Sequence, residues 1–163
     1  MNAADLAEPF PTVALDTDAL TAARTIGDAR LPGLIVVDED GSPYTVLGGS
    51  QVLRFMVPQY IQDDPALARV YDEEASEKLL GRLDAKTVHD LLPKKQDRDD
   101  LPAVDQDATL VEVAAVMAQM RSPVVAVLDP DGRVHGAITV SRLFEHLFPD
   151  LPSAGAGSEG ARS

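Results

Sequence analysis

The side chains able to do chemistry are few and dispersed. The three histidines, His89, His135 and His146, share no metal-ligand spacing such as His-x3-His. The chain has no cysteine, which excludes disulfides, thiolate ligands and thiol nucleophiles. No serine stands in a Gly-x-Ser-x-Gly elbow, and no Gly-x4-Gly-Lys-Ser/Thr phosphate loop occurs. Asp72-Glu73-Glu74 and Glu77 lie on a charged stretch and read as a solvated face or a patch turned toward a partner. No catalytic or metal-binding constellation emerges. The expectation is a non-enzymatic protein without a metal site.

What remains is a pair of junctions where an apolar segment ends and a helix begins. The first contains Gly136-Ala137-Ile138-Thr139-Val140-Ser141-Arg142-Leu143, which sets a hydroxyl three residues before a guanidinium. A helix N-terminus presents free N–H groups that suit an anion. Arg142 has donors only, so it can hold a phosphate or carboxylate but cannot accept from a sugar hydroxyl. A cation on the first helical turn is disfavoured by a few tenths to about 1 kcal/mol. Either an anionic ligand or a nearby carboxylate such as Asp129 would relieve that, unless Arg142 is simply exposed. At the second junction, Gly48-Gly49-Ser50 precedes Gln51. It could wrap an anion as glycine-rich loops do, or form a plain turn with Ser50 as the N-cap. Arg30-Leu31-Pro32 and Arg121-Ser122-Pro123 form turns that proline stiffens by fixing φ.

The elements that position these junctions form an internal repeat. An offset of 91 carries Phe10–Leu53 onto Leu101–Phe144 without a gap, with 11 of 44 positions identical. Average residue usage gives about 3. Each copy reads as a short strand (Thr12–Ala14; Ala103–Asp105), then a helix near Ala19–Asp28 or Leu110–Met120, the latter capped by Asp107 or Thr109. A continuous apolar strand follows, Leu34–Val37 or Val124–Leu128, as expected for a strand buried on both faces. Asp-Gly at 40–41 and 131–132 marks a hairpin, after which come Tyr44–Leu47 or Val134–Ile138 and a helix starting near Ser50 or Ser141. Between the copies, Asp64-Pro65 reads as an N-cap and first helical residue of a charged helix, Ala66–Leu83. Lys94–Asp100 reads as a charged linker. The Gly/Ala/Ser-rich end of the chain reads as disordered.

Composition bounds the rest. One unit of about 60 residues buries too little surface to be comfortable alone, whereas 163 residues allow two sharing a core. Aromatics are only 4%, so the core must be aliphatic. A net charge of −13 argues against nucleic acid and anionic membranes as partners. The N-terminus lacks the features of a signal peptide, and no apolar run reaches spanning length, so a cytoplasmic location without membrane insertion is expected.

Two such copies resemble the CBS-domain family. Gly136–Leu143 is similar to its Gly-h-h-Thr/Ser-x-x-Asp-h signature, where h is apolar, and Thr87-Val88-His89-Asp90-Leu91-Leu92 resembles its domain opening. The long insertion resembles that of small bacterial stand-alone members. The resemblance implies an α+β fold of two β-α-β-β-α repeats packed as a pseudo-twofold pair with a helical insertion. Repeat one would span 3–83, including the insertion at 56–83, and repeat two 84–148, with a tail at 149–163. It implies a non-catalytic regulatory module, homodimeric, with an adenine nucleotide (AMP, ADP or ATP) or related anion in the cleft between repeats and no cofactor. The effector, an enzyme or transporter, would be a separate polypeptide. The implied ligand-binding set is Thr139, Arg142, Ser122, Pro123 and Val104 in repeat two, and Gly48, Gln51 and Pro32 in repeat one. The departures are specific: Arg142 stands where the signature has Asp, and Thr45, Gly48 and Gln51 replace its Gly, Thr and Asp. A ligand-free interaction or dimerisation module with degenerate sites is therefore the competing expectation.

Overall fold

The computed structural model describes residues 1–70, 73–93 and 101–148. The expected linker at 94–100 and tail at 149–163 lie outside the described residues. Two three-stranded sheets form, one per repeat. In the first, β1 (Thr12–Ala14) runs parallel to β2 (Gly33–Val37), which pairs antiparallel with β3 (Pro43–Gly48). In the second, β4 (Ala103–Asp105), β5 (Val124–Leu128) and β6 (Val134–Thr139) repeat that order. The central strands β2 and β5 are buried along four of their five residues, as their unbroken apolar runs predict.

Helix α2 (Ala19–Ala29) joins β1 to β2, and α7 (Leu110–Met120) joins β4 to β5. Asp18 caps α2 and Thr109 caps α7, each accepting from a backbone N–H on the first turn. Both helices end on an arginine in the left-handed region, Arg30 (φ 53°) and Arg121 (φ 51°). The chain then turns through Pro32 or Pro123 into the central strand.

The hairpins are built alike. Asp38 Oδ1 accepts from the N–H groups of Asp40 and Ser42 at 2.9 and 3.0 Å. Asp129 Oδ1 accepts from Asp131 and Arg133 at the same distances. Gly41 and Gly132 carry the positive φ, 79° and 80°, that lets the chain return.

Closing helices α3 (Gly49–Met56) and α8 (Val140–Leu147) follow β3 and β6. Two further short helices, α1 (Ala3–Leu6) and α6 (Val88–Leu91), precede the repeats, and each packs into the other repeat. Leu6 lies in the core with Val104, Val113, Val125, Ile138 and Leu143. Leu91 lies with Ala22, Leu34, Val36, Leu47 and Val52. Backbone bonds seat both helices in matching ways. Ala3 N–H and Ala4 N–H donate to Ala108 and Gln106 carbonyls, and Val88 N–H and His89 N–H donate to Thr17 and Leu15 carbonyls. A third cluster, Ile35 with Val124, Ala126 and Ala137, joins the two sheets. Packing thus crosses the boundary between the repeats in both directions.

The insertion departs from the single helix expected over Ala66–Leu83. It comprises α4 (Gln59–Asp63), a 3-10 helix Pro65–Val70, and α5 (Glu73–Gly81). Asp64 closes α4 instead of opening a long helix. Neither the 3-10 helix nor α5 buries a residue, and Leu67, Val70 and Leu80 are exposed. Without an apolar face to bury, nothing sustains a long helix there. Leu83, fully buried, returns the chain to the first core. Among the described residues no helix is long and apolar enough to cross a membrane.

Candidate ligand cleft

The strand-to-helix junction of repeat two is organised by backbone pairing. Val124 pairs with Thr139 at the ends of β5 and β6, and the Pro123 carbonyl accepts the Val140 N–H at 3.1 Å. This brings Pro123 and Ser122 beside Thr139. Thr139 is extended (φ −91°, ψ 161°), and its Oγ1 caps α8 by accepting the Arg142 N–H at 3.2 Å. The Ser122 hydroxyl is engaged within its own turn, donating to the Val124 carbonyl at 2.6 Å. Val104 is not part of this group. It pairs with Val127, three rungs along β5 from Val124, and is buried in the repeat-two core.

Arg142 projects from the first turn of α8 and is 29% exposed. Its Nε donates to the Leu6 carbonyl at 3.2 Å and lies 3.5 Å from Glu8 Oε1. Its Nη1 lies 3.8 Å from Glu145 Oε2. The carboxylates that offset this cation are therefore Glu8 and Glu145. Asp129 is not among them, because its carboxylate is engaged in the hairpin turn.

Repeat one reproduces the backbone and changes the side chains. Gly33 pairs with Gly48, and the Pro32 carbonyl accepts the Gly49 N–H at 3.0 Å. Pro32 and Gly48 therefore meet as Pro123 and Thr139 do. Gly48, not Ser50, holds the N-cap position of α3, and it makes no side-chain cap. Gly48 occupies the position of Thr139 but has no hydroxyl to offer. Gln51 stands at the position of Arg142, and its Nε2 donates to the Leu91 carbonyl at 3.1 Å. Leu6 and Leu91 are the last residues of α1 and α6. In both repeats, then, the residue at the signature's Asp position is a donor that clasps the last carbonyl of the helix received from the other repeat. A carboxylate would face that carbonyl with no proton to share.

Outside the expected set stand Glu8, Glu145, the two clasped carbonyls and the N-terminal caps of the exchanged helices. Asn2 and Asp5 bond reciprocally at α1, and at α6 the Asp90 carboxylate accepts from both the N–H and the hydroxyl of Thr87. The Asp90 carboxyl is held below the usual carboxylate range. The chief cause is the Thr87 backbone N–H, at 2.9 Å, supported by the Thr87 hydroxyl and the charges of Lys86 and His89. The box spacing of polar side chains at positions 2 and 5, and at 87 and 90, is the signal in the sequence that marks both helices. No local signal pairs Glu8 with Arg142.

The comparisons with known proteins agree with this architecture. The CBS domain model matches residues 87–149. A solved CBS domain-containing protein of unknown function from Kribbella flavida DSM 17836 is 50% identical, with 90% of this chain and 98% of that chain covered and a TM-score of 0.76. CBSX2 from Arabidopsis thaliana shares the fold at 16% identity, covering 91% of this chain and 94% of that one, with a TM-score of 0.69. CBSX2 in complex with AMP aligns at 18% identity over 91% and 96% of the two chains, with a TM-score of 0.64. Among curated proteins no match is found. With half its residues shared across nearly the whole of the Kribbella protein, and the repeat architecture in common, this chain belongs to the CBS-domain family.

Proposed function

We propose that this CBS pair is a non-catalytic regulatory module that senses an adenine nucleotide or related anionic ligand and controls a separate partner. The observation that carries this reading is the repeat-two junction. There Thr139 caps an eight-residue helix whose first turn carries the partly exposed guanidinium of Arg142. A phosphate could take hydrogen bonds from Arg142 there. The AMP complex of CBSX2 makes an adenine nucleotide the first ligand to try. Ligand binding would favour one arrangement of the two repeats over another and so alter a partner-facing surface.

The test is thermal unfolding with AMP, ADP and ATP, followed by titration calorimetry on any that stabilise. A ligand at 100 times its Kd should add about 2.7 kcal/mol. No stabilisation by any nucleotide at millimolar concentration would reject this reading.

A second reading is a ligand-free interaction module. It is favoured by one observation: Gln51 and Arg142 both hold backbone carbonyls of the exchanged helices. Under either reading we propose a cytoplasmic homodimer. Leu53 and Phe144 stand at equivalent positions of α3 and α8 and are both more than half exposed, an apolar surface that a second copy could cover. Light scattering that gives a 17.4 kDa monomer at micromolar concentration would count against the dimer.

A further inference from the structure

The segment from Asn2 to Glu8 is a strap closed over repeat two at three points. Its helix α1 buries Ala3 and Leu6 in the repeat-two core. Its far end makes a two-bond bridge with β6, Glu8 N–H donating to the Ala137 carbonyl and Ala137 N–H to the Glu8 carbonyl, both at 3.0 Å. Pro9 follows and has no N–H to continue the pairing. Gly136 makes this approach feasible, since a Cβ there would stand 2.7 Å from the Glu8 carbonyl oxygen. The third point is Arg142, whose Nε faces both the Leu6 carbonyl and the Glu8 carboxylate.

We propose that the Glu8 carboxylate is an internal competitor for Arg142, so that the strap gates the repeat-two cleft against anions. This rests on the reading that the cleft accepts a phosphate-bearing ligand. An arginine on a helix's first turn is disfavoured until an anion neutralises it. Glu8 supplies that anion from within the chain, with Glu145, on the same helix as Arg142, farther off, 3.8 Å from Nη1. A phosphate that takes the guanidinium side-on, through Nε and one Nη, must displace the Glu8 carboxylate, because Nε carries one hydrogen and already faces two acceptors. The pair with Arg142 is one restraint on the residue whose backbone bridges to Ala137, so losing the pair leaves that bridge less firmly held. Occupancy of the cleft is thereby coupled to release of the strap's end. The gate is weak by construction. Glu8 is 53% exposed, and exposed ion pairs change equilibria only by a small factor.

The experiment compares wild type with Glu8→Gln, which removes the charge and keeps the shape. Calorimetric titration with AMP, ADP, ATP and inorganic pyrophosphate at matched ionic strength gives affinities. Amide hydrogen exchange at Glu8 and Ala137 reports the bridge. The expected result is an affinity about three-fold higher in Glu8→Gln for each anion that binds, with faster exchange at both amides of wild type when the anion is present. Equal affinities in the two proteins, with exchange unchanged on binding, would overturn the gate and leave the nucleotide reading intact. Pyrophosphate binding more tightly to Glu8→Gln and loosening both amides, while AMP, ADP and ATP bind neither protein, would uphold the gate and reject a nucleotide as the ligand. Binding of neither pyrophosphate nor any of AMP, ADP and ATP to either protein would overturn both.

Discussion

The two repeats carry one backbone design and two side-chain chemistries. The left-handed arginines, the aspartate-braced hairpins and the bond from the proline carbonyl to the closing helix recur at matching positions. At the junctions the copies part: Thr139 caps α8 whereas Gly48 caps nothing, and a charged clasp at Arg142 faces a neutral one at Gln51. Backbone hydrogen bonds depend little on side-chain identity, so they survive divergence of a duplicated segment. A ligand depends on the side chains, and those differ between the copies. Architectural likeness between the halves therefore gives no ground for assigning them equal ligands.

The exchange of α1 and α6 gives the comparison its strongest test. Leu6 and Leu91 are both essentially fully buried, each within the other repeat's core. Truncation of either to alanine should cost about 2–5 kcal/mol through lost burial and a residual cavity. The location of the damage matters more than its size. Hydrogen exchange should speed up in β5 and β6 for Leu6→Ala, and in β2 and β3 for Leu91→Ala. Loss of protection in the repeat adjacent in sequence, with the other unaffected, would break the exchanged-helix comparison.

Gly136 and Thr45 occupy the same position in the two hairpins, and only one can carry a side chain without strain. A methyl at 136 would press on the Glu8 carbonyl at 2.7 Å and the Ala7 Cβ at 3.2 Å. The strap backbone would have to shift, so Gly136→Ala should destabilise by about 1–3 kcal/mol. Urea denaturation measures it. If Asn2–Glu8 is first deleted, the penalty should vanish; its persistence would show that Gly136 serves another contact.

Much of this frame was legible in the sequence because it follows from local rules. The apolar runs, the Asp-Gly turns and the 91-residue offset led to the strands, hairpins and repeat; even the limits of β1, β4, β5 and α7 match the expected residues. The insertion was misread because Asp64-Pro65 and the charged residues after it satisfy helix rules locally, while tertiary packing gives them no face to bury. The contact between the strap and Arg142 was invisible for a different reason. Glu8 and Arg142 are 134 residues apart, and nothing in either one's neighbourhood announces the other. Arg142 was legible as an ill-placed cation, but Thr139 was read as a ligand hydroxyl and not as the cap it is, and the pairing of Glu8 with the cation belongs to tertiary structure.

A smaller difference lies at the N-caps of α3 and α8. Thr139→Ala removes the acceptor of the Arg142 N–H and should cost about 1 kcal/mol. Gly48→Thr should do the reverse at α3 and by less, because glycine is only a few tenths of a kcal/mol poorer than a hydroxyl residue at an N-cap. Its backbone at φ −76° and ψ 149° admits a side chain, and a Cβ would meet only Ser50 Oγ, at 3.9 Å. Thermal melts of both variants sharpen the comparison. A destabilising Gly48→Thr would mean that the bare glycine serves something other than the helix.

The least of the expected effects concerns Asp90, which forms the capping box of α6 with Thr87 as Asp5 does that of α1 with Asn2. Asp90 additionally has Lys86 and His89 beside it. Its carboxyl is depressed in the folded protein, chiefly by the Thr87 backbone N–H, so the ionised form is favoured by folding. The sign follows from linkage: this contribution is complete above the unfolded value of about 3.9 and fades as pH falls through the lower folded value. Asp90→Asn keeps an acceptor for the cap but has no charge to lose. The stability gap between wild type and Asp90→Asn should therefore be constant near neutrality and narrow in acid. Carboxyl-detected NMR titration should place Asp90 below an ordinary aspartate. If it titrates normally, and the gap does not change with pH, the Thr87–Asp90 box is open in solution, and Gln51 then holds a helix that lacks this cap.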